Sequence, residues 1–125
     1  LDGGAGNASL WGGAGADLLS GGWGADTFVF DAAFVSAVDR ITDFSPIDDT
    51  IRLENAIFTG LPGGRLSAGA FHVGTQAHDA TDRVIYDSDS GALYFDPDGT
   101  GAQAAQQFAQ LTGGLSLTSS DFYVI

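Results

Sequence analysis

Through the first thirty residues the large apolar side chains fall at a fixed interval. Leu1, Leu10, Leu19 and Phe28 stand nine apart, each among glycines and small polar residues. Aligned in nines, residues 3–11 read GGAGNASLW, 12–20 read GGAGADLLS and 21–29 read GGWGADTFV. Glycine takes positions one, two and four of every unit, and the apolar residue takes position eight. Position six is Asp17 and Asp26, with Ala8 departing in the first unit. Glycine permits positive φ and close backbone approach, so each unit predicts a tight turn followed by a very short strand. The side chain at position eight points inward. One unit cannot bury it alone, so units must stack, two to a coil, with turns on one edge recurring every eighteen residues.

Beyond residue 26 the pattern changes. Residues 27–31 (TFVFD) read as a strand. Residues 39–44 (DRITDF) and 49–53 (DTIRL) alternate apolar with polar as half-buried strands do. Residues 60–69 read as loop, after a short helical turn near 55–58. Residues 83–87 and 92–96 flank 88–91 as a hairpin with Gly91 at the turn. Thr100 and Gln103 form a capping box that predicts a helix with Ala102, Ala105, Phe108 and Ala109 on one face and Gly113 as its stop. Residues 120–125 (SDFYVI) read as a closing strand.

Composition sharpens this picture. The 125 residues suit one domain. Hydrophobic residues make up 44 %, but eighteen of them are alanine. Nine Phe, three Tyr and two Trp nevertheless supply a core that a disordered acidic tail would lack. The net charge of −12 excludes a phosphate backbone as partner. All four bases are arginine and fifteen of the sixteen acids are aspartate, Glu54 being the exception. Aspartate suits turns and cation sites, so the charge belongs to loops. With no cysteine, disulfides and thiolate metal sites are excluded. No apolar run approaches the roughly 18 residues of a membrane span. No secretory signal peptide is visible, and without an initiator Met the chain reads as part of a longer one.

The nonapeptides resemble the repeats-in-toxin (RTX) family, whose consensus G-G-x-G-x-D-x-U-x folds as a calcium-filled parallel β-roll. The resemblance implies an all-β fold: a short parallel β-roll over 1–30, capped over 31–125 by a β-rich, sandwich-like segment with one short α-helix. It also implies Ca²⁺ as cofactor. In the family, carbonyls of positions one, three and five serve one ion, and carbonyls of two and four with the aspartate serve another. Carried over, Gly3, Ala5 and Asn7 would face Gly22, Gly24 and Asp26. Gly13, Gly15 and Asp17 would need a turn upstream of residue 1. Gly12, Ala14 and Ala16 need a partner after the repeats. The family pattern D-x-I-x-D-F offers Asp39 first and Asp43 second. Gly21, Trp23 and Ala25 contribute to a third site whose partner the sequence does not name.

Residues 27–125 also resemble the C-terminal region of type I secreted RTX proteins, serralysin-type metalloproteases among them. There Asp121, Phe122, Tyr123, Val124 and Ile125 would be the export signal read by the type I secretion machinery. The resemblance thus implies a secreted, extracellular or cell-surface location. It makes the chain a non-catalytic, calcium-folded module of a larger protein, such as a metalloprotease, whose catalysis would lie in its other parts. The competing reading is an RTX adhesin or a polysaccharide-binding appendage, with Trp11 facing outward. A third reading gives Asp87, Asp89, Asp96 and Asp98 a hydrolytic role, behind turn-forming chemistry, which is preferred, and a further calcium site, which comes second. A phosphate-binding loop fails because the chain has no lysine. His72 and His78 form no H-E-x-x-H motif. The open N-terminal edge leaves end-to-end pairing between copies as an expectation.

Overall fold

The computed structural model describes residues 2–11, 17–30, 38–58, 61, 63–75, 77–96 and 105–125. Within them lie β1 (Ser9–Trp11), β2 (Leu18–Leu19), β3 (Thr27–Phe30), β4 (Asp39–Ile41), β5 (Thr50–Leu53) and β6 (Gly64–Arg65). These are followed by β7 (Phe71–Val73), β8 (Val84–Tyr86), β9 (Ala92–Phe95), β10 (Gln106–Gln110) and β11 (Phe122–Val124). Two 3-10 turns, Ala68–Ala70 and Ser119–Asp121, are the helical elements among the described residues.

Up to β5 the chain changes sheet with every strand. β1, β3 and β5 pair in parallel in one sheet, and β2 and β4 pair in parallel in the other. Leu10 lies beside Phe28, and Phe28 beside Ile51. Leu19 lies beside Ile41. The apolar residue at position eight is buried in each unit, and its successors Ile41 and Ile51 are buried in the same columns. The alternation therefore outlives the nine-residue phase, because pairing needs only that each strand present one inward side chain at the right height.

The expectation of a short parallel β-roll over 1–30 with a separate cap over 31–125 is met only in part. The structure is β-rich but holds two mixed sheets, ordered β1-β3-β5-β11-β6 and β2-β4-β10-β9-β8-β7. Strands from the second half extend both sheets with antiparallel partners, β6 on β11 and the run β10-β9-β8. The closing strand β11 lies inside its sheet, parallel to β5. Residues 64–65, expected as loop, pair with it as β6.

The expected helix is also corrected. Thr100, Ala102 and Gln103 lie outside the described residues, but Gln106–Gln110 is β10, parallel to β4 and antiparallel to β9. The pairing with β9 shifts between Gln107 and Ala109. Such an irregularity breaks strict alternation, and here Phe108 and Ala109 are both buried. Two adjacent buried residues after Ala105 mimic a helical stripe. The hairpin 83–96 forms as expected, with Gly91 at φ 85°.

One core cluster takes side chains from both sheets and from both halves of the chain, from Leu10 to Val124. Its centre is aromatic. Phe30 meets Phe108 edge-on at 5.3 Å, Phe108 meets Phe58 at 4.9 Å, and Phe58 meets Phe95 at 5.3 Å. Phe28 contacts Phe44 at 6.0 Å. The repeats are thus packed on the rest of the chain through Phe28 and Phe30.

Candidate metal centre

The first and third glycine turns stack on each other. Gly4 and Gly6 have φ of 71° and 88°, and Gly22 and Gly24 have φ of 78° and 101°, so positions two and four require glycine. Trp23 N–H donates to the Gly4 carbonyl at 3.1 Å, and Ala25 N–H donates to Asn7 Oδ1 at 2.7 Å. Residues 3–7 therefore lie against residues 21–26, the pair of turns that the repeat spacing brings together. A Cβ at Gly22 would collide with the Gly4 carbonyl, and one at Gly24 with Gly6, whereas one at Gly4 meets nothing within 4 Å.

This contrast makes an expected result. Gly4→Ala costs only the left-handed conformation, about 1–2 kcal/mol. Gly24→Ala adds a clash with the neighbouring turn and should lower the unfolding midpoint by clearly more. Urea denaturation of both variants with calcium present measures the difference, and equal losses would contradict this stacking.

Carboxylates line the same edges. Ala8 N–H donates to Asp26 Oδ1 at 3.0 Å, Asp17 N–H to Asp39 Oδ1 at 2.8 Å, and Asp26 N–H to Asp49 Oδ1 at 2.9 Å. Each spans one coil, 18, 22 and 23 residues respectively. Asp49 Oδ2 accepts from Ser45 N–H at 2.9 Å. Asp43 accepts from Gly21 and Gly22 N–H at 2.9 and 2.8 Å and from the Ser20 hydroxyl at 3.1 Å. Asp26, Asp39 and Asp49 are buried. The second oxygens of Asp26 and Asp17 are buried with no hydrogen-bond partner.

Burial pushes the Asp39 carboxyl above the ordinary 3.8, with Asp17 nearby adding to the rise against the hydrogen bond from its N–H. Burial likewise raises Asp49, where hydrogen bonds from Asp26 and Ser45 oppose the rise and the charges of Asp26 and Asp43 add to it. Burial would raise Asp43 too, but the N–H groups of Gly22 and Gly21 outweigh it and hold that carboxyl below 3.8. Asp121 is raised by burial, only partly countered by the Thr118 N–H.

Asp39, Asp49 and Asp121 hold protons in the fold at a pH where the unfolded chain has released them. Their contribution to stability is full below 3.8 and is lost as pH rises through the raised folded values. Asp43 acts in the opposite sense, losing its contribution as pH falls through a value below 3.8. The metal-free protein should therefore become less folded as pH rises from 3.8 toward neutrality. Far-UV CD of chelator-stripped protein across this range tests it, and a β-signal that climbs with pH would refute it.

Of the other residues singled out by sequence, Gly12, Gly13, Ala14, Gly15 and Ala16 lie outside the described residues. Asp39 sits at the start of β4 on the Asp17 N–H. Asp43 sits on the third turn, at Gly21 and Gly22. Sequence reasoning missed Asp49. Its signal is the triplet Asp49-Thr50-Ile51, which matches Asp26-Thr27-Phe28 and lies in register with it, Thr27 beside Thr50. Asp121 and Thr118 form a capping box, and Phe122 and Val124 are buried in β11 while Tyr123 and Ile125 are exposed. Asp87 shapes the hairpin turn, its Oδ1 accepting from Asp89 N–H at 3.0 Å. Asp98 lies outside the described residues. No helix among the described residues is long and apolar enough to cross a membrane.

Residues 1–32 match a family model described as the RTX calcium-binding nonapeptide repeat (4 copies). No curated protein matches the chain. These repeats imply Ca²⁺ binding. The donor set fits that ion, since Ca²⁺ is hard and takes about six to eight oxygens from carboxylates and carbonyls. The turn edges offer both, together with two buried carboxylate oxygens that nothing else satisfies.

Proposed function

We propose that this chain is the calcium-folded, non-catalytic C-terminal module of a larger secreted RTX protein, and that it carries that protein's type I export signal. The observation that carries the reading is the buried, partnerless Oδ2 of Asp26 between turns 3–7 and 21–26. Gly3, Ala5 and Asn7 with Gly22, Gly24 and Asp26 would hold one ion. Asp43 and Asp49 extend the donors to the third turn, where Gly21, Trp23 and Ala25 contribute carbonyls. Asp17 with Gly13 and Gly15 would serve a site shared with an upstream turn. Bound calcium would supply the positive charge that these carboxylates and carbonyls coordinate.

The chain's own residues do the rest. Without cations, clustered aspartates repel and glycine turns lose much entropy on ordering, so the module favours the unfolded state. In the folded state Phe122 and Val124 are buried inside a sheet. An export signal spanning 121–125 is therefore readable before folding and hidden afterwards. Low calcium inside the cell and higher calcium outside would set that order. Strands β1 and β2 stand at edges of the two mixed sheets, open to an upstream segment or a second copy.

A calcium titration of the chain, followed by far-UV CD and Trp fluorescence, tests the reading. Trp23 is 83 % exposed beside the third turn and reports on it. The expected result is a cooperative gain of β-signal as calcium enters the millimolar range, where extracellular modules bind. Complete β-structure in calcium-free buffer, unchanged by millimolar calcium, would overturn it. The exposure of Trp11 and Trp23 supports a second reading, a polysaccharide-binding appendage. Glycan binding lost in Trp11→Ala and Trp23→Ala would favour it.

A further inference from the structure

The chain's two histidines, six residues apart, come together far from the calcium turns. His72 lies on β7, which closes the six-stranded sheet at the edge opposite β2. His78 lies in the segment leading to β8, and their rings stack with centroids 4.0 Å apart and planes 25° from parallel. Asp82 lies beneath them, 1 % exposed. One nitrogen from each ring and one Asp82 carboxylate oxygen lie within 4.8 Å of one another.

The Asp82 carboxylate is only half satisfied. Its Oδ2 accepts from the backbone N–H groups of His78 at 2.8 Å and Asp79 at 3.3 Å, and lies 2.5 Å from His78 Nδ1. Its Oδ1 is buried with no hydrogen-bond partner. A buried carboxylate oxygen left without a partner is costly. Carboxylates flank both ring nitrogens of His78, with Asp82 Oδ2 at Nδ1 and Asp79 Oδ2 3.5 Å from Nε2. A divalent cation would satisfy the Asp82 carboxylate and draw on one nitrogen of each ring.

We propose that His72, His78 and Asp82 form a second metal site, for a zinc-class divalent cation. The ligand set decides the class. Calcium takes oxygen donors, whereas two imidazoles with one carboxylate suit zinc and its neighbours. Three protein ligands leave one tetrahedral position to solvent. Stacked rings hold their in-plane lone pairs side by side, so loading turns one ring. His72 lies against Gly74, where a Cβ would come within 2.7 Å of its Nε2, whereas the His78 side chain is 60 % exposed and has the room to turn. The bound ion would clip edge strand β7 to the segment before β8.

The test uses the full chain already saturated with calcium, so that the turns do not compete. Zn²⁺ is titrated by calorimetry, and Co²⁺ serves as a spectroscopic probe of the ligands. Expected are a single site per chain, visible Co²⁺ bands of a nitrogen-oxygen site, a higher melting temperature with zinc, and release on mild acidification. His72→Gln and His78→Gln should each weaken binding at least about tenfold. Asp82→Asn should do the same, while its amide oxygen still accepts the turn N–H groups of His78 and Asp79. Should that variant misfold, the histidine variants decide. Absent binding, or weak binding equally strong in the His72→Gln/His78→Gln double variant, would overturn the proposal and leave the calcium reading untouched.

Discussion

Asp26→Asn should remove most of the stabilisation that calcium confers through the stacked turns. An asparagine carbonyl still accepts the Ala8 N–H, so the hydrogen bond across one coil survives. What is lost is the negative charge and the buried second oxygen. Asp26 also pushes the Asp49 carboxyl upward, so its neutralisation relieves repulsion when no cation is present. A site occupied at ten times its Kd adds about 1.4 kcal/mol. For a domain of this size that corresponds to roughly 4–6 °C of melting temperature per site. The measured quantity is the melting temperature of calcium-loaded protein, native against variant. Asp89→Asn, in the exposed hairpin turn, should keep the native value. A calcium-loaded melting temperature that Asp26→Asn leaves intact would remove Asp26 from the ligands.

Phe108→Ala should be the most damaging single change in the second half of the chain, and it should unfold the repeats as well. Phe108 is buried between Phe30 of the repeat region and Phe58. Truncating a buried phenylalanine costs about 3–5 kcal/mol, against a typical domain stability of about 5–15 kcal/mol. The edge-on partners would lose a further contribution of about 0.5–1.5 kcal/mol per pair. Because the core is shared, the loss should appear in one transition. Urea unfolding of calcium-loaded protein, monitored at once by far-UV CD and Trp fluorescence, checks this. Two separated transitions, or a loss under about 1 kcal/mol, would show that the repeats do not depend on this core.

Both results bear on how much was legible in advance. The stacked turns were readable because glycine recurs at positions two and four, where the turns need positive φ, and position eight supplies the inward side chain. Most strands were readable as well, since β3, β4, β5, the hairpin and β11 each carry local alternation or a turn signal. The strand β10 was not. Its residues 105–109 carry a helical spacing in too short a window, and a pairing shift against β9 lets Phe108 and Ala109 both be buried. Propensity lost there to two waiting strand partners, β4 and β9.

The candidate site divides in the same way. Asp26 was legible because it keeps the nine-residue phase. Asp49 was not, because the coil that carries it has 23 residues and breaks that phase. The His72–His78–Asp82 cluster follows no metal motif, so only the path of the chain between β7 and β8 brings it together.

By itself the sequence determined a repeating turn-and-strand unit, the residues at its turns, and an excess of aspartate suited to calcium. Those properties are local, set by backbone freedom and side-chain type within nine residues. The tertiary structure decided how the coils continue past the repeats, which aspartates end up buried on the turn edges, and where the last strand goes. Hydrogen-bond pairing and a shared aromatic core join residues far apart in the chain, and no local spacing encodes that distance.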